Sequence, residues 1–346
     1  MHALARKLVL SAALLAGAAY AQVQTQAPIG DYHQHVFSPQ DIALAGPGSS
    51  LQPIDAKDVV ALLDAAGIHQ AVLLSIAYQY GKPGRALDDE LGMVRAENDW
   101  TVAQAARYPG RLVAFCSVNP LKDYALAEMK RCASAPGARG IVRGLKLHFG
   151  NSDVQLDDPA HVARLREVFA AANAAGLAIV VHMRASFSKG RPYGARQARI
   201  FVEQLLPAAP GVTVQVAHFA GSGPGYEDAP AREAMAVLAA SVAQHDPRTR
   251  NLYFDVASIA DRGLKPELAR LMADTIRQVG TARVLYGTDA AQGGNLRPRE
   301  SWEAFRKLPL TDAEFAQIAR NVPPYFMKQA AAAEPIPAGR GASGSE

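Results

Sequence analysis

Cysteine is almost absent from this chain: Cys116 and Cys132 are the only two. Neither falls in a C-x-x-C pair, which argues against cysteine-based zinc binding and dithiol redox chemistry. No apolar run reaches the roughly 20 residues that a membrane-spanning helix needs. Basic residues never gather into a block, and the formal net charge is only +4 despite a pI near 9.0. A nucleic-acid partner therefore has no support. No glycine-rich dinucleotide fingerprint or P-loop follows a strand-like run, and no G-x-S-x-G elbow marks a serine nucleophile.

What is present begins with a targeting signature. Arg6 and Lys7 precede the apolar run LVLSAALLAGAA, which ends in the small-x-small stretch Ala19-Tyr20-Ala21. This reads as a signal peptide over residues 1–21, cleaved near Ala21–Gln22 to release a secreted or periplasmic protein. An uncleaved anchor is the alternative. An oxidising location permits a disulfide. Cys116 sits in a strand-like run and Cys132 in the helix that follows, but the reading favours two buried thiols.

Residues 22–328 repeat one pattern, short β-branched runs alternating with longer amphipathic ones. The strand candidates are IGDYHQHVF, QAVLLSIA, LVAFCSVNP, RGLKLHF, AIVVHMR, VTVQVAHF, NLYFDVAS and RVLYGTD. Helix candidates between them carry boundary signals: Asp55 as a cap, Pro159 and Pro266 in opening turns, Gly67, Gly176 and Gly280 as stops. Near-continuous apolar strands separated by helices predict a parallel sheet covered by helices, and eight such units match a (β/α)8 TIM barrel. Residues 329–346 are small, polar and rich in Pro and Gly, and read as a disordered tail.

The chemistry concentrates where such a barrel places its active site, at the C-terminal ends of the strands. Strand one ends in His33-x-His35, strand four in Lys146-x-His148, strand five in His182, strand six in His218 and strand eight in Asp289. Alternation along a strand puts His33 and His35 on one face with Asp31 behind them. Of nine histidines, only His2, His69, His161 and His245 fall elsewhere, and the last three read as surface residues. Imidazoles and a carboxylate suit Zn²⁺, and less often Mn, Fe or Co.

The H-x-H pair, His182, His218 and the GTD aspartate, in this order and spacing, resemble the amidohydrolase superfamily. The likeness is to its amidohydrolase-related branch, which includes hydrolases and decarboxylases of the aminocarboxymuconate-semialdehyde type. The resemblance covers nearly the whole chain after the signal peptide. It implies that His33, His35, His182 and Asp289 ligate one metal ion, which brings the pKa of a bound water to about 7. It also implies that Asp289 moves the proton as general base, while His218 polarises the substrate oxygen or orients the water. In binuclear members a carboxylated lysine bridges two metals. Lys146 is the candidate here, though the reading favours an ammonium that pairs with Asp289 or a substrate carboxylate, and a mononuclear site.

Further residues are read as substrate contacts. His148 shares a face with Lys146. Arg184 either recognises a substrate carboxylate through its fork or is a solvent-facing loop residue. Tyr78 and Tyr80 either line the mouth or only pack, and the insertion 184–197 reads as a lid or rim. The expected function is hydrolysis of a C–O or C–N bond in a small molecule, a lactone, ester or amide. The alternative is non-oxidative decarboxylation of a carboxylate-bearing substrate, and a non-catalytic metal-binding protein is a third reading. Pairing into a homodimer is compatible with the sequence but nothing in it marks an interface.

Overall fold

A computed structural model describes residues 26–45, 52–186, 189–291 and 294–327. The signal peptide read at 1–21 and the tail at 329–346 lie outside the described residues. Eight parallel strands follow one another in sequence order: β1 (Gly30–Gln34), β2 (Gln70–Leu74), β3 (Leu112–Ser117), β4 (Val142–His148), β5 (Ala178–His182), β6 (Val214–Val216), β7 (Leu252–Asp255) and β8 (Val284–Leu285). The ring closes between β8 and β1, where Tyr32 N donates to Tyr286 O at 2.9 Å and Asp289 N to His33 O at 2.8 Å. This is the expected (β/α)8 barrel. The helices used below are α1 (Pro39–Ala45), α2 (Ala56–Ala66), α3 (Glu90–Ala106), α4 (Ala125–Ser134), α5 (Phe149–Ser152), α6 (Pro159–Ala174), α7 (Ala195–Ile200), α8 (Ala229–Ala243), α9 (Pro266–Val279), α10 (Pro298–Phe305), α11 (Asp312–Arg320) and α12 (Pro324–Met327).

Local chemistry explains these boundaries. Asp55 caps α2 in a capping box with Asp58, and Gly67 ends it at φ 72°, a left-handed conformation that a Cβ would disfavour. Pro159 and Pro266 open α6 and α9, where a missing N–H costs nothing. The insertion read at 184–197 is shorter as a loop than expected, because residues 195–197 already belong to α7.

Alternation holds around most of the barrel. Val72, Leu74, Val113, Phe115, Val180 and Leu285 fill its interior, while Leu73, Ala114, Leu145, Val181 and Phe254 pack toward the helices. Strand β1 departs from it, because its register shifts between Asp31 and Gln34. Tyr32 and His33 are neighbours, yet both face inward, Tyr32 into the apolar interior and His33 toward Asp255 and Lys146. Such a bulge re-aims the side chains that follow it. Asp31 is therefore not behind the histidines, as alternation predicts. Its carboxylate accepts from Thr288 N (3.1 Å), Thr288 Oγ1 (2.6 Å) and Gln34 Nε2 (2.8 Å), stitching the β8–β1 seam. Burial pushes Asp31 up to about 6, against those hydrogen bonds.

The last described helices return to the N-terminal ends of the strands. Ile29 N donates to Ala319 O, and the Asn321 amide donates to Thr281 O and Val284 O, both at 2.7 Å. From there α12 inserts Tyr325 and Phe326 into the interior cluster.

Cys116 and Cys132 are bonded to each other, with Cα atoms 6.2 Å apart. This corrects the expectation of two thiols: β3 and α4 pack close enough for the bridge, a separation that sequence does not supply. The cross-link spans 16 residues of sequence, a loop whose closure restricts the unfolded chain by about 3 kcal/mol. Urea unfolding with and without a reductant should differ by about that amount; coincident curves would show that the bridge adds no stability.

Candidate metal centre

The strand ends bring His33, His35, Lys146, His148, His182, His218 and Asp289 to one mouth, as their positions in the sequence predict. Asp255, at the end of β7, joins them and was not foreseen. His33 and Asp255 are buried, at 1% and 0% exposure, whereas Asp289 keeps 13%.

Hydrogen bonds to the ring nitrogens assign the tautomers. His33 Nδ1 lies 3.0 Å from Asp255 Oδ2, His35 Nδ1 is 2.6 Å from Leu74 O, and His218 Nδ1 is 2.8 Å from Ala257 O. Each partner can only accept, so each Nδ1 carries the proton and each Nε2 keeps its lone pair. His148 is the reverse. Its Nδ1 accepts from Asn151 N at 3.1 Å, so in the neutral ring Nε2 carries the proton. Three histidines thus offer lone pairs and one offers an N–H.

Burial sets the charge states. It lowers His33 to about 3, with the Lys146 charge acting in the same direction and Asp255 against it. His35, His148, His182 and His218 are lowered as well, mainly by burial. Burial would raise Asp255, but His33, His218 and the hydrogen bonds it accepts hold it well below the usual carboxylate range. Asp289 and Lys146 carry opposite charges in this buried mouth. Burial raises the carboxyl and lowers the amine, and the attraction between them opposes both shifts.

The donor set fits a cation. His35 Nε2 faces Asp289 Oδ1 at 3.5 Å, two atoms that repel unless a bound cation or a proton on the carboxyl lies between them. Asp289 Oδ1 is buried without a hydrogen-bond partner among the described residues. One ligand atom each from His33, His35 and Asp289 lies within 4.8 Å of the others, and the same holds for His33, His218 and Asp255. Imidazole and carboxylate donors at this density suit Zn²⁺ and its first-row neighbours. The Asp255–His33 contact has the form of the outer carboxylate that orients a ligating imidazole. Lys146 Nζ, 3.4 Å from His33 Nε2, provides positive charge at the same spot. His182 stands apart from both groups: it stacks on His148 at 3.9 Å between ring centroids and meets His218 at 5.2 Å.

The remaining candidates are placed less centrally. Tyr78 is buried with its ring 4.8 Å from that of His148, whereas Tyr80 points away, donating to Glu97. Arg184 is neither solvent-facing nor presented to the mouth. Its Nε donates to Asp228 Oδ2 and its Nη2 to Oδ1 at 3.3 Å, over the ring of Tyr193. Its fork thus already holds a carboxylate of the chain itself. His69 and His245 are exposed as expected, but His161 is half-buried and accepts from Gln155 N. Of the unforeseen residues, Asp255 carried a signal: a lone carboxylate inside the apolar run LYFDVA. Gln215 carried a similar one inside VTVQVAHF.

A family model described as amidohydrolase matches residues 31–321. No curated protein matches the chain. Among solved structures, it is similar to a 5-carboxyvanillate decarboxylase from Sphingomonas paucimobilis, with TM-score 0.56 and 16% identity over 84% of this chain and 96% of that one. It is also similar to a probable 2-pyrone-4,6-dicarboxylic acid hydrolase from Acinetobacter baumannii with citric acid bound (TM-score 0.51, 17% identity, 84% and 96% covered). A third likeness is to an amidohydrolase from Burkholderia multivorans with bound zinc (TM-score 0.53, 15% identity, 84% and 96% covered). At these identities the likeness is one of fold.

Gly287 decides whether His33 fits. A Cβ there would lie 2.8 Å from His33 Cβ and 3.3 Å from His33 N, so any side chain must displace the bulge. Gly287→Ala should weaken Zn²⁺ binding at least tenfold and lower stability by about 1–3 kcal/mol. Chelator competition and urea unfolding measure the two; unchanged affinity would mean that His33 does not hold the ion.

Proposed function

Because the chain belongs to the amidohydrolase family, and so to a superfamily of enzymes, we propose that it hydrolyses a C–O or C–N bond in a small molecule, a lactone, ester or amide. The observation that carries this reading is Asp289 Oδ1: buried, without a hydrogen bond among the described residues, and facing His35 Nε2 across 3.5 Å. His33, His35 and Asp289 would hold one divalent ion, zinc first, with His182 completing the set by a turn of its ring. When bound, such an ion supplies Lewis acidity toward water and the substrate oxygen.

The chain's own groups supply the rest. Asp289 takes the proton from the attacking water and returns it to the departing oxygen or nitrogen. Burial raises its affinity for that proton, and the nearby Lys146 ammonium restrains the rise. Of the two tasks open to His218, its tautomer supports orienting the water, because Nε2 accepts and cannot donate while the ring is neutral. The donor role falls to His148, whose Nε2–H is free to polarise the substrate oxygen.

Decarboxylation is the second reading, and Lys146 favours it. This cation is 1% exposed, set among the histidines, and able to pair with a substrate carboxylate. Arg184 contributes less to that reading than its sequence position suggests, since Asp228 occupies it. The proposal also keeps the exported location read from residues 1–21; a bridge such as Cys116–Cys132 persists in oxidising compartments.

Metal content per chain, on protein purified without chelators, is measured beside His33→Ala. About one equivalent, lost in the variant, is expected. Turnover is then screened on lactones, esters, amides and carboxylated aromatics, and Asp289→Asn should lower it about 10²–10⁴-fold. Undiminished turnover would remove Asp289 as base, and CO₂ release without any hydrolysis would put the second reading in place of the first.

A further inference from the structure

A chain of hydrogen bonds runs from the C-terminal segment to the candidate metal centre. Tyr325 Oη donates to Gln215 Oε1 at 2.8 Å. Gln215 Nε2 donates to Asp255 Oδ2 at 2.7 Å and to Tyr32 O at 3.1 Å. Asp255 Oδ2 accepts in turn from His33 Nδ1 at 3.0 Å. The residues are buried throughout: Tyr325 is 4% exposed, Gln215 and Asp255 0%, His33 1%.

The orientation of Gln215 is dictated by its partners. A carboxylate and a backbone carbonyl can only accept, so the amide NH₂ must face them, and the amide oxygen is left for the Tyr325 hydroxyl. Reversing the amide would set oxygen against oxygen twice at a position buried from solvent. Tyr325 is itself held in place, its ring 5.1 Å from Phe115 while Phe326 packs 6.0 Å from Tyr32. The two acceptors of Gln215 flank His33. One is the carboxylate on its ring nitrogen and the other is the carbonyl of the preceding residue in the bulge.

We infer that Tyr325 and Gln215 are positioning residues for the metal centre: docking of the C-terminal helix α12 sets the Gln215 amide, which holds Asp255 and the β1 bulge, and through them His33. Neither residue reaches the mouth. Their influence passes through His33, so the inference rests on the reading of His33 as a ligand.

Tyr325→Phe keeps the ring packing and deletes the donor. Zn²⁺ affinity by chelator competition should fall about three- to tenfold, less than the 10–100-fold typical of a group bonded directly to a ligand. Gln215→Met should cost about tenfold. Adding Tyr325→Phe to Gln215→Met should cost nothing further, because the path is already cut. Losses that multiply, or unchanged affinity in Tyr325→Phe with only a lower melting temperature, would make Tyr325 a packing residue and overturn the inference. A second readout does not need the metal. In ¹⁵N-histidine spectra of metal-free protein, the His33 Nδ1–H resonance should move in Tyr325→Phe while that of His35, bonded to Leu74 O, stays. A stationary His33 signal overturns the relay. A wild-type chain that binds no metal, with the His33 signal still moving, instead retires the metal reading and leaves the relay standing. Should Tyr325→Phe not fold, Gln215→Met carries both readouts.

Discussion

The ionised carboxylate of Asp255 is the constraint on which the site depends. Removing a carboxylate from water costs several kcal/mol unless its lone pairs are used. Here four donors use them: His33 Nδ1 and Gln215 Nε2 on Oδ2, His218 N and Ala257 N on Oδ1. Each charge-assisted bond contributes roughly 1.5–3 kcal/mol, enough together to hold the charge in the barrel. The donors come from β1, β6 and the segments after β6 and β7. One side chain therefore ties three parts of the ring together and assigns the His33 tautomer. It also anchors a strained turn. His218, Phe219 and Ala220 all have positive φ, at 54°, 47° and 61°, each costing on the order of 1 kcal/mol or more. The bond from His218 N to Asp255 lies at the start of that turn, where the chain leaves β6 and aims the imidazole inward.

The β8–β1 seam is the second constraint, and it is linked to the first. A barrel must close its last strand on its first, and β8 has only two residues of regular ladder. The closure is completed by Asp31, which takes both the N–H and the hydroxyl of Thr288, and by the bond from Asp289 N to His33 O. The bulge that frees Asp31 for the seam is the one that turns His33 inward, and Gly287 leaves the space His33 enters. Closing the ring and building the site are thus one packing problem. Asp289 is delivered with φ 54°, directly after the Thr288 clamp and opposite His35.

These links explain how far the sequence could be read. The eight strands, their order and the strand-end histidines follow from periodicity and residue type, because polar residues in apolar runs have few places to go. The bulge at His33 is different. Simple alternation also puts His33 and His35 on one face, so the pattern conceals that Tyr32 shares it. The disulfide and the Arg184–Asp228 pair depend on distances between elements far apart in sequence, and residue type alone left each open. Asp255 was legible in principle, as a carboxylate inside LYFDVA. It is harder to read than Asp289, because Val256 and Ala257 continue the apolar run past it whereas Asp289 closes the run RVLYGTD.

The tautomers bear on which reaction this mouth can run. A ring of histidines is ambiguous while protons are unassigned, but the acceptors behind His33, His35 and His218 leave all three Nε2 atoms as lone pairs. Of the four histidines whose ring hydrogen bonds assign a tautomer, His148, turned by Asn151 N, is the one that offers a hydrogen to the mouth, beside the ammonium of Lys146. In the hydrolysis proposed above, the lone pairs of His33 and His35 would face the ion and the His148 N–H the developing negative oxygen. Loss of carbon dioxide places a different demand on the same residues. The substrate carboxylate must be held and then released into a poorly solvating environment, while a proton is delivered to carbon. Lys146 can hold it, and a protonated Asp289 can deliver the proton. Under the two readings proposed above, the proton on Asp289 when the substrate arrives is one difference between the two reactions. Burial and Lys146 set that proton in opposition to each other.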